Sequence, residues 1–421
     1  MLRVFGKKLR LFLGMQQNTP SLQFHFPDTE LTSALQPSAT LRLASAEKVK
    51  RRQDQLRSAT AQEFTQLFQT TLDLEAVASR NIENLIGAIS VPVGVAGPVA
   101  IHGQELDEEV VIPLATTEGR LVASVHRGCK AINAAGGAQV LVKKIGMSRA
   151  PVFRCASGAE AAEFVKQVET LFPRLQEIAT QSSQHLLLSS WKSWIRGRQV
   201  YLRLVFDPDQ AMGMNMVTIA SDAISHFLEL ETGAQLLALS SNVCCDKKDS
   251  VINRIEGRGY WAQAEVFISA RQLRDILKCS VEQLVQAHVA KNLVGSNVAG
   301  SFSQNMQVGN VIAALYLATG QDLAHVTDGS QASTTIEATD DGIYAAVTLP
   351  NLAIGVVGGG TWLPAQAEAR QLIRLGKELS AEQLAQVIAT AALAAELSGM
   401  AAMSTHTLAQ AHASLKRTIP E

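Results

Sequence analysis

The sequence predicts an α+β fold in which a large, mostly helical domain is interrupted by a small α/β domain. Two observations support this class. Helix-like and strand-like segments alternate over roughly ninety residues, between positions 150 and 238. From about 251 onwards, the chain is rich in alanine and has a helical pattern. The length of 421 residues is sufficient for two or three domains, and the hydrophobic fraction of 47% allows a large core.

The N-terminal region is predicted to be helical over residues 46–80, where an irregular apolar stripe runs among charges. Residues 91–99 are apolar but contain Pro92 and Pro98. A proline cannot donate to a β-ladder, so we do not expect a central strand there.

A strand is predicted over residues 110–114 and a helix after it. Thr116 or Thr117 is expected to cap this helix, and Gly136 to stop it. Further on, the pattern predicts helices over 159–184, 216–230, 311–318 and 381–403, and strands over 199–206 and 235–239.

Composition excludes several functional classes. A formal net charge of −1 argues against nucleic acid or an anionic membrane as the main partner. Five scattered cysteines without a Cys-x-x-Cys motif indicate a reducing, cytoplasmic environment with free thiols. The longest apolar run near the N-terminus, residues 11–15, is too short for a secretory signal. The uncharged segment 292–321 is too polar for lipid, so no membrane span is expected.

Glu118 is predicted to lie in the first turn of its helix. One interpretation is that it complements the helix dipole. The other is a proton donor whose pKa is raised by burial among Leu114, Leu121 and Val122.

The Asp246-Lys247-Lys248-Asp249 turn is either solvated or part of a pocket. The uncharged stretch 237–245 before it favours the pocket, where a lysine can stabilise an oxyanion. Asp322 follows a buried-looking helix, and a carboxylate at that end is unfavourable with the helix dipole unless it has a partner such as a lysine. His412 by itself has the pattern of a surface residue.

Two glycine-bearing turns, 212–218 and 355–361, suit a bound pyrophosphate, because glycine lets backbone N–H groups approach an anion closely. The Gly-x-Gly-x-x-Gly fingerprint, the Walker A motif and zinc-ligand spacings are absent from the sequence, so no metal is implied.

Taken together, these stretches resemble 3-hydroxy-3-methylglutaryl-coenzyme A (HMG-CoA) reductases, and the eukaryote-type (class I) enzymes more than the other bacterial class. The matching stretches are collinear from 83 to 412. They are 83–87, 91–98, 115–119, 127–130, 211–216, 246–248, 255–259, 291–296, 320–322 and 357–361.

The resemblance implies a four-electron reduction of the HMG-CoA thioester to mevalonate and CoA in the mevalonate pathway of isoprenoid synthesis. Lys247 would stabilise the oxyanion, Glu118 would relay a proton, and Asp322 would tune both. His412 would protonate the CoA thiolate. The family builds its site between two subunits, so a homodimer is the minimum and a homotetramer is compatible.

The resemblance also implies binding residues. For the substrate these are Arg149, Ser240, Asn242, Asp246, Lys248, Lys291 and Asn310, with Ser124, Arg127 and Lys130 at the CoA phosphates. For the cofactor they are Gln210, Met212, Gly213, Met214, Asn215, Met216, Ser183, Gly358, Gly359, Lys416 and Arg417.

The implied domain organisation has a small ferredoxin-like NAD(P)-binding domain inserted into the large one. The expected parts are an N-terminal arm and helical segment at 1–82, a discontinuous large HMG-CoA-binding domain at 83–149 and 251–421, the small domain at 150–238, and a connecting catalytic loop at 239–250.

Two departures from the family pattern concern the cofactor. Gln210 stands where the family usually has aspartate, and no arginine stands near 183–185 to contact a 2′-phosphate. Lys416 and Arg417 can substitute for that arginine, so NADPH is expected, with NADH as the alternative. Two other functions are weighed: a two-electron acyl-CoA or hydroxy-acid dehydrogenase, and a non-enzymatic CoA- or nucleotide-binding protein.

Overall fold

The structure, a computed structural model, describes residues 45–406. Its contacts divide the chain into two compact units between Ile89 and Ser90. His412, Lys416 and Arg417 lie outside the described residues.

The first unit contains three helices, α1 (Ser45–Thr60), α2 (Thr65–Phe68) and α3 (Leu74–Arg80). The expectation of one helix over 46–80 was therefore wrong. Ala61 and Phe64 have positive φ angles of 55° and 49°, which end one helix and begin the next.

The second unit begins with β1 (Val93–Gly103), β2 (Asp107–Ala115), α4 (Leu121–Ala134) and β3 (Ala138–Arg149). The strand β1 was not expected because of its prolines. It forms because Pro98 lies at a register shift between Ala96 and Val99, where its missing N–H costs no ladder bond.

The next six elements are β4 (Val152–Arg154), α5 (Gly158–Ser182), β5 (Leu187–Arg196), β6 (Gln199–Asp207), α6 (Met214–Thr232) and β7 (Gln235–Ala238). Their strands lie side by side in the order β7-β4-β6-β5, all antiparallel. This β-α-β-β-α-β order is the ferredoxin-like arrangement. It has its own core, which includes Phe153, Phe164, Leu204, Phe206 and Val217.

The rest of the unit follows in chain order. It consists of α7 (Val251–Glu256), β8 (Gly259–Ser269), α8 (Ala270–Gln272), a π-helix (Leu273–Leu277), α9 (Val281–His288), a second π-helix (Val289–Gly295), α10 (Ser296–Ala299), α11 (Val308–Thr319), a 3-10 helix (Leu323–His325), α12 (Val326–Gly329), β9 (Ser333–Ala338), β10 (Gly342–Leu352), α13 (Pro364–Ile373) and α14 (Ala381–Ser404).

The strands β8, β9 and β10 are the main difference from the expected helical C-terminal region. They extend the sheet in the order β3-β8-β10-β9. Most residues of β10 are buried on both faces, so it lacks the alternation that identifies a strand in a sequence.

Helix α14 lies at the centre of the large core. Every residue from Ala381 to Ala402 except Glu382 and Gln383 is buried, and the helix packs on α4, α11 and β8. Among the described residues it is the one helix long and apolar enough to cross a membrane, but 89% of its apolar window is buried inside the protein. Its environment is that of a core helix.

Candidate active site

The loop between β7 and α7, residues 239–250, has an unusual backbone and is called the lysine loop below. Asn242, Cys245 and Lys247 all have left-handed φ angles, of 66°, 52° and 56°. Such conformations are costly for residues other than glycine and persist where the surroundings enforce them.

Side chains outside the loop hold it in place. The hydroxyl of Ser148 donates to the carbonyl of Cys244 at 3.1 Å, and the amide of Asn253 donates to the carbonyl of Cys245 at 3.0 Å. Both donors are buried. The loop therefore presents Lys247 from a fixed backbone.

Lys247 and Asp322 form an ion pair with Nζ and Oδ2 2.7 Å apart. The partner expected for Asp322 is thus present, and Asp322 also accepts the N–H of Ala324 at the start of the 3-10 helix. Burial raises the pKa of Asp322, but the hydrogen bonds from Lys247 and Ala324 and the charges of Lys247 and His325 outweigh it. The net result is a pKa below the ordinary value of 3.8.

A network of buried charges lies beneath this pair. Arg258 is fully buried and donates to Asp246 at 2.8 Å and to Asp328 at 3.1 Å. Asp328 is also fully buried and lies 3.1 Å from Nδ1 of His325. Arg149 approaches Asp246 at 3.7 Å. These charges are tolerated in the interior because each has an opposite partner.

Sequence reasoning missed the roles of Arg258, His325 and Asp328. Arg258 belongs to one of the matching stretches, 255–259, but nothing in its spacing indicates a buried ion pair with a residue seventy positions later. The roles of these three residues could be recognised only from the three-dimensional contacts between them.

Five of the substrate residues implied by the resemblance lie on or against the lysine loop. Ser240 Oγ lies 3.2 Å from Cys244 Sγ, and Lys248 Nζ donates to the carbonyl of Asp246 at 3.2 Å. The five residues are Arg149, Ser240, Asn242, Asp246 and Lys248.

Glu118 lies in a different place. It precedes α4, which begins at Leu121 after Arg120 in a left-handed conformation, so it is not in the first helical turn as expected. Its side chain is exposed and is not buried among apolar residues. The N–H of Glu118 donates to Thr116 Oγ1, which explains why that threonine caps the turn and not the helix.

The carboxylate of Glu118 accepts a hydrogen bond from Asn310 Nδ2 at 3.1 Å. Asn310 lies in the first turn of α11, whose start is fixed by the buried carboxylate of Glu396. That carboxylate accepts the N–H groups of Met306 and Gln307 at 2.8 Å and 2.7 Å. Within residues 45–406, Glu118 makes no hydrogen bond or ion pair with Lys247 or Asp322.

Burial raises the pKa of Glu396, although its hydrogen bonds and the charge of Lys291 oppose this. Lys291, a substrate residue implied by the resemblance, is thus electrostatically coupled to the carboxylate that begins α11. It lies in the second π-helix, a form that often marks functional positions.

Two of the three residues expected at the CoA phosphates, Ser124 and Arg127, hold two helices together in this structure. Ser124 Oγ donates to Ser398 Oγ at 2.9 Å, and Arg127 donates to the hydroxyl and carbonyl of Ser398 at 3.0 Å and 2.6 Å. Both residues anchor α4 to α14. Lys130 is exposed.

The two glycine-bearing turns lie against each other. Val356 N–H donates to the carbonyl of Gln210 at 2.9 Å, and Ala211 forms a parallel bridge with Val357. The amide of Gln321 pairs with both backbone groups of Gly355 at 3.0 Å. The turns therefore lie next to the residue that precedes Asp322.

Two glycines of the second turn have free space where a side chain would stand. Gly358 and Gly359 have positive φ angles, and a Cβ there would meet no described atom within 4 Å. Gly213 makes the turn into α6, and Ser183 Oγ lies 3.5 Å from the sulfur of Met216. Met212, Met216 and the exposed Asn215 line the same end of α6.

Two of the implied cofactor residues are already engaged. Gln210 Oε1 accepts the N–H of Ala381, and its Nε2 donates to Glu382 at 3.0 Å, so this side chain caps α14. Met214 is buried, with its sulfur 2.9 Å from Arg258. Among residues 45–406 there is no cluster of three or more histidine, cysteine or acidic side chains that could hold a metal.

Comparison with known proteins matches these features to one family. The sequence model described as hydroxymethylglutaryl-coenzyme A reductase matches residues 48–417. The 3-hydroxy-3-methylglutaryl-coenzyme A reductase of Halobacterium salinarum is 45% identical over 350 residues, covering 82% of this chain and 86% of the relative. Reductase 1 of Dictyostelium discoideum is 42% identical over 357 residues, covering 82% of this chain and 64% of the relative.

A similar fold is known from a solved structure. The class II 3-hydroxy-3-methylglutaryl-CoA reductase of Streptococcus pneumoniae, bound to NADPH in open conformations, has a TM-score of 0.63 and 20% identity. The match covers 86% of this chain and 97% of that one. Identity at this level shows the fold alone.

Proposed function

The chain belongs to the hydroxymethylglutaryl-coenzyme A reductase family, and we propose that it uses two NADPH to reduce HMG-CoA to mevalonate and free CoA for isoprenoid synthesis. As a member of this family it is an oxidoreductase of the class I type. The observation that supports the proposed chemistry best is the Lys247–Asp322 pair on a fixed loop above buried charges.

Lys247 is the proposed oxyanion donor. Its side chain is partly exposed while Asp322 holds Nζ from one side, so we expect Nζ to reach a carbonyl oxygen of the substrate. Preorganised charge at the position where negative charge develops is among the largest contributions to catalysis. Asp246 and Arg258 hold the loop and need not contact the substrate.

Glu118 is the proposed proton relay, and a second copy of the chain brings it to Lys247. The exposed carboxylate is oriented by Asn310 but makes no hydrogen bond or ion pair with the lysine loop within the described residues. A homodimer with sites at its interface, or a homotetramer built from two such dimers, would bring the two groups together. His412, outside the described residues, is proposed to protonate the CoA thiolate.

The nicotinamide cofactor supplies hydride when bound. Gly358, Gly359 and the start of α6 are the proposed dinucleotide contacts, because a Cβ added at either glycine would meet no described atom within 4 Å and these turns lie beside the one that leads to Asp322. Gln210 is left out of this set because its amide caps α14.

NADPH is the proposed cofactor, with Lys416 and Arg417 as candidates for the 2′-phosphate. One observation favours NADH as the alternative. At 183–185, where an arginine is missing, His185 pairs with the carboxylate of Asp209 at 3.5 Å, and a carboxylate there suits a ribose hydroxyl better than a phosphate.

Release of CoA thiol from HMG-CoA tests the activity. Purified full-length chain should release thiol and oxidise NADPH in a ratio of one to two, whereas a two-electron dehydrogenase would give a one-to-one ratio. Thiol release that does not depend on either cofactor would contradict a reductase.

The ratio of kcat/KM for NADPH to that for NADH tests the cofactor. Replacing Lys416 and Arg417 by alanine should lower kcat/KM for NADPH about ten-fold or more and leave NADH nearly unchanged, because a charged contact to phosphate contributes about 1.5–3 kcal/mol. An unchanged ratio shows that this tail does not bind the phosphate.

A further inference from the structure

An arginine of α13 holds the second glycine-bearing turn, residues 355–361, by both of its ends. Nη1 of Arg370 donates to the carbonyl of Val356 at 2.5 Å. Nη2 of the same side chain donates to the carbonyl of Thr361 at 2.7 Å. Because the guanidinium is planar and rigid, it fixes the positions of these two carbonyls relative to each other.

The turn is closely packed at its ends and free of neighbours in its middle. A Cβ added at Gly355 would lie 2.3 Å from a backbone nitrogen of the first glycine-bearing turn. A Cβ added at Gly320 would lie 2.4 Å from the carbonyl oxygen of Gly360. At Gly358 and Gly359, between these contacts, an added Cβ would meet no described atom within 4 Å. Arg370 therefore fixes the ends of a turn whose central glycines have free space beside them.

The charge of Arg370 is not balanced by a carboxylate within residues 45–406. Its side chain is partly buried, and the groups that accept its hydrogen bonds there are the two backbone carbonyls. Its Nε is buried and has no hydrogen-bond partner among those residues. Burial lowers the pKa of Arg370, but arginine stays charged at neutral pH. An apolar side chain would avoid this desolvation cost, so the cation indicates a use for its charge.

A cation bound to these two carbonyls favours an anionic ligand at the turn. Carbonyl oxygens carry partial negative charge and repel an anion, and the guanidinium offsets that charge at both ends of the turn. Turns of this kind bind phosphate groups through backbone N–H groups. The diphosphate of a dinucleotide is an anion of the required class.

We propose that Arg370 prepares this turn for the diphosphate of the nicotinamide cofactor. It is a positioning residue: it fixes the turn through Val356 and Thr361 and supplies positive charge, while the turn itself contacts the ligand. The inference rests on the cofactor site proposed above. Since the diphosphate is common to NADPH and NADH, Arg370 is expected to act on either cofactor.

Binding of NADPH to the full chain, followed by NADPH fluorescence without HMG-CoA, tests the proposal. Arg370→Met removes the charge and both hydrogen bonds, so the Kd for NADPH should rise about ten-fold. Arg370→Lys retains the charge but cannot bridge both carbonyls, so its Kd should lie between those of the other two proteins. An unchanged Kd in folded Arg370→Met would overturn the proposal. If Arg370→Met does not fold, an unchanged Kd in Arg370→Lys would do so.

Steady-state kinetics separates positioning of the cofactor from a general structural role. In Arg370→Met, the KM for NADPH should rise about ten-fold, whereas kcat and the KM for HMG-CoA should change less than about two-fold. Arg374→Met is the matched control, because Arg374 directly follows α13 but pairs with Glu108 and not with the turn. It should leave the KM for NADPH unchanged. Equal changes in both KM values, or equal effects of the two variants, would contradict the assigned role.

The two proposals fail separately. A wild-type chain that binds NADPH but releases no CoA thiol would contradict the proposed reduction, and the Kd values would still decide the role of Arg370. If wild type reduces HMG-CoA and Arg370→Met binds NADPH as tightly as wild type, the role of Arg370 is wrong and the reductase function stands. If wild type prefers NADH, the same measurements are made with NADH.

Discussion

The two candidate half-sites are built differently. The lysine centre consists of Lys247 and Asp322 above Asp246, Arg258 and Asp328, and the last two of these are fully buried. The glutamate centre consists of Glu118, whose exposed carboxylate is held by one hydrogen bond from Asn310. In the lysine centre, all groups come from one chain and each charged side chain lies next to one of opposite charge. In the glutamate centre, a single exposed carboxylate is held by a hydrogen bond from a helix.

If the two centres form one site, as proposed, this difference has a chemical reason. A group that must stabilise negative charge needs a rigid, preorganised setting, and the buried network provides it. A proton-relaying group must be reached by substrate and solvent, so it remains open until another surface covers it. We expect mutations in the buried network to lower mainly stability, and mutations of Lys247 or Glu118 to lower mainly turnover.

The largest effect is expected from Arg258→Met. This change leaves Asp246 and Asp328 without their shared cation, and breaking a buried pair typically costs about 3–5 kcal/mol. Urea denaturation should show the loss in the free energy of unfolding. Arg271→Met, which removes an exposed pair with Asp275, is the control and should change stability by less than about 0.5 kcal/mol. A tolerated Arg258→Met would mean that the network is not what supports the lysine loop.

Lys247→Ala should lower turnover at least about 10²-fold, because it removes the proposed oxyanion donor. Lys278→Ala is a matched control, since Lys278 also has a left-handed backbone, with φ of 62°, and lies outside the site. Both variants should unfold at similar temperatures. Comparable turnover in the two would remove Lys247 from the mechanism.

Glu118→Gln should lower turnover about 10²-fold without a measurable loss of stability, because the side chain is exposed. Steady-state kinetics and a thermal melt on the same preparation check both halves of this prediction. A large drop in melting temperature would show that Glu118 has a structural role, and the proposed difference between the two centres would be wrong.

The smallest effect concerns acid stability. The pKa of Asp322 is lowered on folding, so its contribution is fully present above the ordinary value of 3.8 and is lost as the pH falls through the lower folded value. The difference in unfolding free energy between wild type and Asp322→Asn should therefore shrink below about pH 4, from less than about 1 kcal/mol for so exposed a pair. If this difference in unfolding free energy grew on acidification, the pKa of Asp322 would not be lowered on folding.

Features of the fold and of the candidate site that depend on neighbouring residues in the chain could be predicted from the sequence. The helices α5, α6 and α14 and the strands β6 and β7 follow from periodicity, and the lysine partner of Asp322 follows from helix electrostatics. Long-range features could not be predicted. The strand β10 is buried on both faces and shows no alternation, and the contact of Arg258 with Asp328 joins distant segments.

Glu118 illustrates a second limit. The sequence places an acidic residue shortly before an apolar helix, which is compatible with a first-turn position and burial. Whether Glu118 lies inside the helix depends on Arg120. Its backbone is left-handed, so the helix begins only at Leu121. Such a conformation is uncommon outside glycine, so the pattern gives no warning of it.

Mixing two inactive variants tests most directly whether the centres meet across a subunit interface. Glu118→Gln and Lys247→Ala chains are unfolded together and refolded, or coexpressed, and turnover is compared with that of each variant alone. If each site takes Glu118 from one chain and Lys247 from its partner, half of the dimers are mixed and carry one intact site, restoring roughly a quarter of wild-type turnover. If the mixture is as inactive as its components although mixed dimers form, both residues serve a site within one chain, and the account is contradicted.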